Sequence, residues 1–214
     1  MPYANLLFDL DGTLTDPKLG ITLSIQYALA QMGINEPDPD TLTHFIGPPL
    51  HSAFMASYGF DDAQAWQAVE HYRVRFKEKG LYENTPYPAI RETLAALKEK
   101  GYSLYVVTSK PWVFANEIAR HFELTGYFKA IYGSELDGTR TDKGDLIKHV
   151  LETEKLQPET CLMIGDRKHD LIGARRNGVD AAGVSYGYGG RAELEAEGPR
   201  FVFETLEALK EALA

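Results

Sequence analysis

From residue 89 to the end of the chain, apolar runs typical of strands alternate with segments that have the spacing of amphipathic helices. The runs lie at 104–107, 130–132, 161–164, 181–184 and 200–203, the last as an edge strand. Parallel strands need a crossover connection, which is usually a helix, so this alternation predicts right-handed βαβ units. The predicted fold class is therefore α/β: a Rossmann-like, doubly wound parallel sheet with helices on both faces.

Another apolar run lies near the start of the chain, at 6–8, and two carboxylates follow it. The run is apolar on both faces, as a strand buried in a parallel sheet is. Asp9 then lies at the carboxyl end of this strand, where open α/β sheets bind their ligands. Asp11 can reach back over the same spot, because Gly12 permits a sharp change of backbone direction.

Residues 16–85 show helical periodicity, with apolar residues on one face of each of three segments, and no convincing strand. We therefore predict a small all-helical cap at 16–85, inserted after the first strand into a core formed by 1–15 and 86–214. Pro86 and Pro88 stiffen the second connection. A cap rooted beside the two carboxylates is placed to act as a lid over them.

Composition limits the location and the partners. The chain has 214 residues and a formal net charge of -9, which argues against a nucleic-acid polymer as partner, since such surfaces are built from clustered Lys and Arg. No apolar stretch approaches the ~20 residues of a membrane span. The single cysteine, Cys161, excludes an intrachain disulfide and is interpreted as a buried structural thiol. These observations predict a cytoplasmic protein without a nucleic-acid polymer or a membrane as partner.

Three further segments place reactive residues at strand or helix ends. Thr108 and Ser109 follow the run 104–107, where their hydroxyl and N–H groups and a helix dipole form a phosphate cradle or, alternatively, only a helix cap. Lys143 opens a helix, where a lone lysine is most often solvated. Asp166 follows the run 161–164, and Asp170 lies four residues later, a pair that could also simply cap a helix.

Taken together, these segments resemble the four motifs of the haloacid dehalogenase superfamily of phosphohydrolases. The matching motifs are Asp9-Leu10-Asp11-Gly12-Thr13, Thr108-Ser109, Lys143, and Gly165-Asp166 with Asp170. The stretches 45–50, 108–111 and 137–143 are similar to the phosphoglycolate phosphatase-like branch, which has a helical cap. Some members of that branch look like 5′-nucleotidases.

The resemblance and the residue types imply the same chemistry. Asp9 is the expected nucleophile, which forms an aspartyl-phosphate. A carboxylate repels a phosphate, so a cation must bridge them, and Mg²⁺ suits oxygen ligands. The expected ligands are Asp9, Asp166 and the backbone carbonyl of Asp11. Thr108, Ser109, Lys143 and Gly47 are expected to bind substrate, with Thr108 and Lys143 also catalytic, and Asp170 is expected to support the site by orienting Lys143 or a metal-bound water.

Asp11 distinguishes the reactions known for this superfamily. Expulsion of an alkoxide needs a proton donor, whereas expulsion of a halide does not, so Asp11 favours phosphate esters over haloacids. The same carboxyl group can later accept a proton from the hydrolytic water. The sugar phosphomutases of this superfamily commonly carry a histidine soon after the first motif. No histidine occurs between Asp11 and Leu42, so this sequence resembles them less. Phosphate-binding Gly-Lys-Ser/Thr loops and Cys-His zinc spacings are also absent from the sequence.

The predicted function is a Mg²⁺-dependent phosphomonoester hydrolase, with a phosphoglycolate-type substrate favoured. A nucleoside 5′-monophosphatase with the same core residues is the first alternative, and a catalytically weak partner-binding module is the second. Two features are predicted to lie outside the chemistry. The glycine-rich stretch 187–191 is interpreted as a plain turn rather than a loop of the site. Arg73 and Arg75 are interpreted as solvated residues rather than substrate contacts.

Overall fold

The computed structural model describes residues 3–213 and contains one large parallel sheet. The strands are β1 (Asn5–Phe8), β2 (Thr15–Asp16), β3 (Thr85–Pro86), β4 (Ser103–Pro111), β5 (Ala130–Ser134), β6 (Cys161–Gly165), β7 (Asp180–Val184) and β8 (Phe201–Phe203). Six of them form the large sheet in the order β5-β4-β1-β6-β7-β8, and β2 pairs with β3. The strand β8 lies at the edge, as predicted.

The sheet order places the end of β1 at a crevice. All neighbouring strands of the large sheet are parallel. From β1 the chain moves outward through β4 and β5 and then returns to the other side of β1 with β6. Connections therefore leave β1 and β6 in opposite directions, and ligands of open α/β sheets bind at this switch point. The predicted α/β Rossmann-like fold is confirmed.

Helices lie between the strands of the sheet and throughout the segment from β2 to β3. They are α1 (Lys18–Gln31), α2 (Leu50–Tyr58), α3 (Asp62–Arg75), α4 (Ile90–Glu99), α5 (Trp112–His121), α6 (Lys143–Glu154), α7 (Lys168–Arg176), α8 (Gly190–Ala196) and α9 (Leu206–Leu213). The sequence analysis missed α8, because a glycine-rich stretch hides its start.

The core of the sheet is built by alternation along β1. Leu7 packs with Tyr105 and Met163 of the neighbouring strands and with residues of α6 and α7. Because side chains alternate between the faces of a strand, Leu6 and Phe8 point to the other face, and they are fully buried as well. Both faces of β1 are therefore covered. Cys161 is buried in the same cluster as Leu7, as expected for a structural thiol.

The strand β4 is longer than its apolar run. It continues to Pro111, with a shift of register against β5 after Thr108. Pro111 precedes the first residue of α5 instead of lying in its first turn. Backbone pairing with β5 therefore extends the strand past its last apolar residue, and α5 begins at Trp112.

The chain divides into two compact units, Met1–Asp16 with Pro86–Ala214, and Pro17–Thr85. The boundaries predicted from the sequence differ from these only at Asp16. Within the helical unit, the Asp61 side chain accepts a hydrogen bond from the N–H of Gln64 at 2.8 Å and caps α3. Arg75 donates two hydrogen bonds to Glu83, at 2.7 and 3.0 Å. The interpretation of Arg75 as a solvated residue was wrong, because this bidentate pair holds α3 to the end of the unit.

Over residues 3–213, the helices are either too short or too polar to cross a membrane.

Candidate active site

Asp9 lies directly after β1, at the switch point of the sheet. Its backbone N–H donates to the carbonyl of Ile164 at 2.9 Å, which continues the pairing of β1 with β6. The side chain is buried, and its Oδ1 lies 2.9 Å from Nζ of Lys143. The predicted nucleophile therefore shares its immediate surroundings with the predicted lysine.

Lys143 is the first residue of α6, where Asp142 caps the helix by accepting a hydrogen bond from the N–H of Asp145 at 3.0 Å. Its Nζ lies 2.7 Å from Oδ1 of Asp170 and donates to the carbonyl of Val107 at 2.9 Å. Burial alone would lower the pKa of this amine, but the carboxylates of Asp170 and Asp9 outweigh burial and raise the pKa above its usual value. The solvated alternative for Lys143 is excluded.

Three buried carboxylates surround this amine. Asp9, Asp166 and Asp170 each offer an oxygen, and the three oxygens lie within 4.8 Å of one another. Burial, and then repulsion from Asp170 and Asp9, raises the pKa of Asp166 well above its usual range. Burial also raises the pKa of Asp170 to about 6, against the opposing effect of Lys143. One ammonium for three carboxylates leaves a site with an excess of negative charge.

The donor set fits a hard divalent cation. Oδ2 of Asp166 accepts a hydrogen bond from the N–H of Tyr188 at 2.7 Å, whereas Oδ1 is buried without a hydrogen-bond partner among the described residues. A buried, unpaired carboxylate oxygen is costly unless a cation binds it. Oxygen donors at this spacing are those that Mg²⁺ uses in proteins.

Asp166→Asn is expected to stabilise the cation-free protein at neutral pH by about 1–2 kcal/mol, the gain typical when a destabilised functional group is removed. The raised pKa means that folded Asp166 binds its proton more tightly than unfolded Asp166, whose pKa is near 3.8. The stability gained from this tighter proton binding is therefore complete below the pKa of unfolded Asp166. It is lost as the pH rises through the pKa of folded Asp166. Asp170 acts in the same direction between about pH 4 and its folded pKa of about 6.

Urea unfolding in EDTA at pH 4.5, 6.0 and 7.5 measures this effect. We expect wild type and Asp166→Asn to be similar at acidic pH and to diverge toward pH 7.5, with the variant the more stable. Addition of Mg²⁺ at pH 7.5 should stabilise the wild type and not the variant. Parallel pH profiles for the two proteins would contradict the assignment of an uncompensated charge to Asp166.

Asp11 is held at the next turn of the chain. Its Oδ2 lies 2.9 Å from Nζ of Lys110, and its Oδ1 has no hydrogen-bond partner in the described part of the chain. Burial raises the pKa of Asp11, and Lys110 opposes that rise. Gly12 follows with φ of +79°, and a side chain there would collide with the carboxylate of Asp166. Glycine at this position lets the turn approach the carboxylates closely.

Lys110 was missed as a site residue by the sequence analysis. The available signal was its spacing, since residues two apart in a strand share a face and Lys110 follows Thr108 at that distance. Thr108 is buried at the carboxyl end of β4, and its hydroxyl accepts a hydrogen bond from the N–H of Lys110 at 3.3 Å. The phosphate cradle remains a prediction, and the helix dipole invoked for it would act from Trp112, where α5 begins.

Ser109 and Gly47 were also predicted to bind substrate, but their contacts within the protein do not bear on that role. Ser109 is partly buried, and its carbonyl accepts a hydrogen bond from the hydroxyl of Ser134 at 2.8 Å. Gly47 lies in the helical unit with φ of +102°, in the left-handed region that favours glycine. Their substrate-binding roles remain predictions.

A loop after β7 wraps around the first and fourth motifs. The Tyr186 hydroxyl donates to the carbonyl of Thr13 at 2.9 Å, and the Tyr188 N–H binds Asp166. A side chain at Gly187 would collide with Asp166 and with the carbonyl of Gly12. The interpretation of 187–191 as a plain turn was wrong, because this segment fixes the orientation of the Asp166 carboxylate.

Comparisons with known proteins agree with this geometry. A family model described as haloacid dehalogenase-like hydrolase matches residues 6–184. A 5′-nucleotidase from Pseudomonas aeruginosa is 61% identical over 99% of this chain and 96% of its own length. A phosphoglycolate phosphatase from Aquifex aeolicus is 32% identical over 92% of this chain and 90% of its own. The crystal structure of a predicted phosphatase from Clostridium acetobutylicum superposes with a TM-score of 0.97 at 43% identity, covering 99% of this chain and 98% of that one.

Proposed function

The chain belongs to the haloacid dehalogenase-like hydrolase family and is a phosphatase, and on that premise we propose that it hydrolyses phosphomonoesters through a covalent intermediate on Asp9. The observation that carries this proposal is the position of Asp9. Its carboxylate lies at the switch point of the sheet, 2.9 Å from a buried ammonium and beside two further carboxylates. This is the arrangement expected of a nucleophile held and oriented in a site that also needs a cation.

The proposed reaction has two steps. In the first, an oxygen of Asp9 attacks phosphorus, the bond from phosphorus to the ester oxygen breaks, and Asp11 gives its proton to the leaving alcohol. In the second, Asp11 takes a proton from water, which attacks the phosphorus of the aspartyl-phosphate and releases phosphate and Asp9. A single carboxyl group thus serves as acid and then as base. Thr108, Ser109 and Lys143 are proposed to hold the phosphoryl oxygens, with Lys143 also offsetting their charge.

Mg²⁺ is the proposed cofactor. The carboxylates of Asp9 and Asp166 and the backbone carbonyl of Asp11 would hold it, and the unpaired Oδ1 of Asp166 supports this assignment. When bound, the ion offsets the repulsion between the phosphate and the carboxylates. Asp170 is proposed to orient Lys143, in keeping with the 2.7 Å separation of the two groups.

For the substrate, we propose a nucleoside 5′-monophosphate. The support is the relative from Pseudomonas aeruginosa, which is 61% identical over nearly the whole chain and is called a 5′-nucleotidase. This reverses the preference drawn from the sequence motifs, which favoured a phosphoglycolate-type substrate. Phosphoglycolate is the second candidate, supported by the 32% identical relative from Aquifex aeolicus. In either case, Gly47 is proposed as a substrate contact from the helical unit, which would act as a cap.

The remaining expectations are part of the same proposal. The enzyme would act in the cytoplasm on a small phosphorylated metabolite, as a monomer or a homodimer, without a membrane or a nucleic-acid polymer as partner. The formal net charge of -9 supports the last point.

A steady-state substrate screen tests the function. Purified protein would be assayed against nucleoside monophosphates, phosphoglycolate and sugar phosphates, and kcat/KM compared with Mg²⁺ and with EDTA. We expect nucleotides to be preferred by more than about tenfold, a difference of about 1.4 kcal/mol, and activity to disappear in EDTA. A preference of the same size for phosphoglycolate would reverse the ranking. If the protein hydrolyses none of these esters, the result would instead support the alternative of a catalytically weak, partner-binding module.

A further inference from the structure

The structure assigns a positioning role to Lys110. We propose that its ammonium holds Oδ2 of Asp11 and thereby presents Oδ1 as the oxygen that exchanges a proton with the substrate. This inference rests on the proposed function, in which Asp11 is the general acid and base, and it extends that function to a residue outside the four motifs.

The contact is a buried ion pair with a short separation. Lys110 Nζ and Asp11 Oδ2 are 2.9 Å apart, and the two side chains are only 5% and 10% exposed. Ion pairs on the surface exchange partners with water and contribute little. A buried pair is different, because loss of either partner leaves the other charge desolvated. The pair therefore fixes the orientation of the Asp11 carboxylate.

The two oxygens of Asp11 have different surroundings. Oδ2 faces the ammonium, whereas Oδ1 has no hydrogen-bond partner within residues 3–213. A proton on Oδ2 would compete with the ammonium, so the proton of the general acid belongs on Oδ1. The terminal torsion of an aspartate is broad and roughly two-fold, so an unpaired Asp11 could present either oxygen or neither. Lys110 removes that freedom.

The backbone of Lys110 is itself held in place by its neighbours. It lies in the last part of β4, its N–H donates to the Thr108 hydroxyl at 3.3 Å, and a side chain at Gly133 would collide with its carbonyl. Catalytic groups are positioned best by residues on rigid elements. Each carboxylate of the first motif thus has its own ammonium: Lys143 lies beside Asp9, and Lys110 beside Asp11.

The test compares two leaving groups in Lys110→Met and Lys110→Arg. Adenosine 5′-monophosphate expels an alkoxide that needs a proton, whereas p-nitrophenyl phosphate expels a phenolate that does not. The parameter kcat/KM reports the steps up to transfer of the phosphoryl group to Asp9, and kcat also includes the later attack of water. For Lys110→Met we expect kcat/KM for the nucleotide to fall about 100-fold, the effect of a misplaced general acid. The same parameter for p-nitrophenyl phosphate should fall less than about threefold.

Lys110→Arg keeps a cation beside Asp11 and should recover at least about a tenth of the wild-type kcat/KM for the nucleotide. If Lys110→Met does not fold, Lys110→Leu removes the same charge and is tested in its place, with the same difference expected between the two esters. Lys148→Met is the control, because that lysine is 67% exposed on α6 and should leave both esters unaffected.

Equal losses for both esters when the charge of Lys110 is removed would make Lys110 a general phosphate ligand and would overturn the proposal, as would unchanged rates for both esters in the same variant. A wild-type enzyme that hydrolyses neither ester would remove the proposed function itself, and this inference with it. The behaviour of the wild type therefore separates failure of the function from failure of the role of Lys110.

Discussion

Lys143→Met is expected to lower the free energy of unfolding by about 3–5 kcal/mol, the usual result of removing one partner from a buried ion pair. Lys143 is the ammonium nearest to both Asp9 and Asp170, at 2.9 and 2.7 Å. Methionine is unbranched like lysine and only one atom shorter, so the change removes the charge with little loss of packing. The same variant should lose about 10²- to 10³-fold in kcat, as when one donor to a developing negative charge is removed.

Urea unfolding in EDTA measures the stability effect of Lys143→Met. Lys148→Met on the same helix is the matched control, and it should change stability by less than about 0.5 kcal/mol because its side chain is 67% exposed. Asp170→Asn added to Lys143→Met should recover part of the loss, since it removes one of the carboxylates left without a cation. If Lys143→Met were as stable as the control, the amine would not be what holds these carboxylates together.

Lys143 also illustrates what a sequence can and cannot predict. As a residue type, a lysine that opens a helix is expected in solvent, and only the resemblance to a family placed it in the site. Its burial depends on contacts with Asp9, Val107 and Asp170. These residues come from three other segments, and α6 meets them only after the sheet has formed. Tertiary contacts of this kind leave no local pattern.

The ends of the strands before Asp9 and Asp166 were easier to predict from the sequence than the burial of Lys143. The apolar runs before Asp9 and Asp166 end where buried strands end, and their register, Phe8 opposite Ile164, brings both carboxylates to one edge of the sheet. Lys110 was missed for the opposite reason. Its strand continues through polar residues to Pro111, because pairing with β5 and not apolar periodicity sets the end of β4.

The loop after β7 shows a third limit. A glycine-rich stretch after a strand is typical of a turn, yet Gly187 lies against Asp166 and Gly12 and leaves no room for a side chain. The reason for this glycine is a close approach between segments distant in the sequence. Composition alone does not distinguish such a glycine from one that only permits a turn.

Asp9→Asn is expected to lower kcat/KM by at least about 10⁴-fold, because removal of a nucleophile abolishes the covalent route and leaves only binding and electrostatic effects. Asparagine has nearly the same size as aspartate, and Lys143 keeps Asp170 as a partner at 2.7 Å. The variant should therefore fold, and its unfolding in EDTA should match or exceed that of the wild type, since one of three clustered carboxylates is gone.

A labelling experiment separates the covalent role of Asp9 from a role in cation binding alone. Wild-type enzyme quenched in acid during turnover of a radiolabelled phosphomonoester should carry label that hydroxylamine releases, as an acyl-phosphate does, and Asp9→Asn should carry none. Asp170→Asn is the matched control, because the same chemical change is made at a carboxylate that also lies beside Lys143. It should be slower than the wild type and still become labelled. Label on Asp9→Asn would show that another residue attacks phosphorus. Turnover of Asp9→Asn above about 1% of the wild-type rate without label would show that water attacks phosphorus directly. In either case, Asp9 would serve only to hold the cation and Lys143.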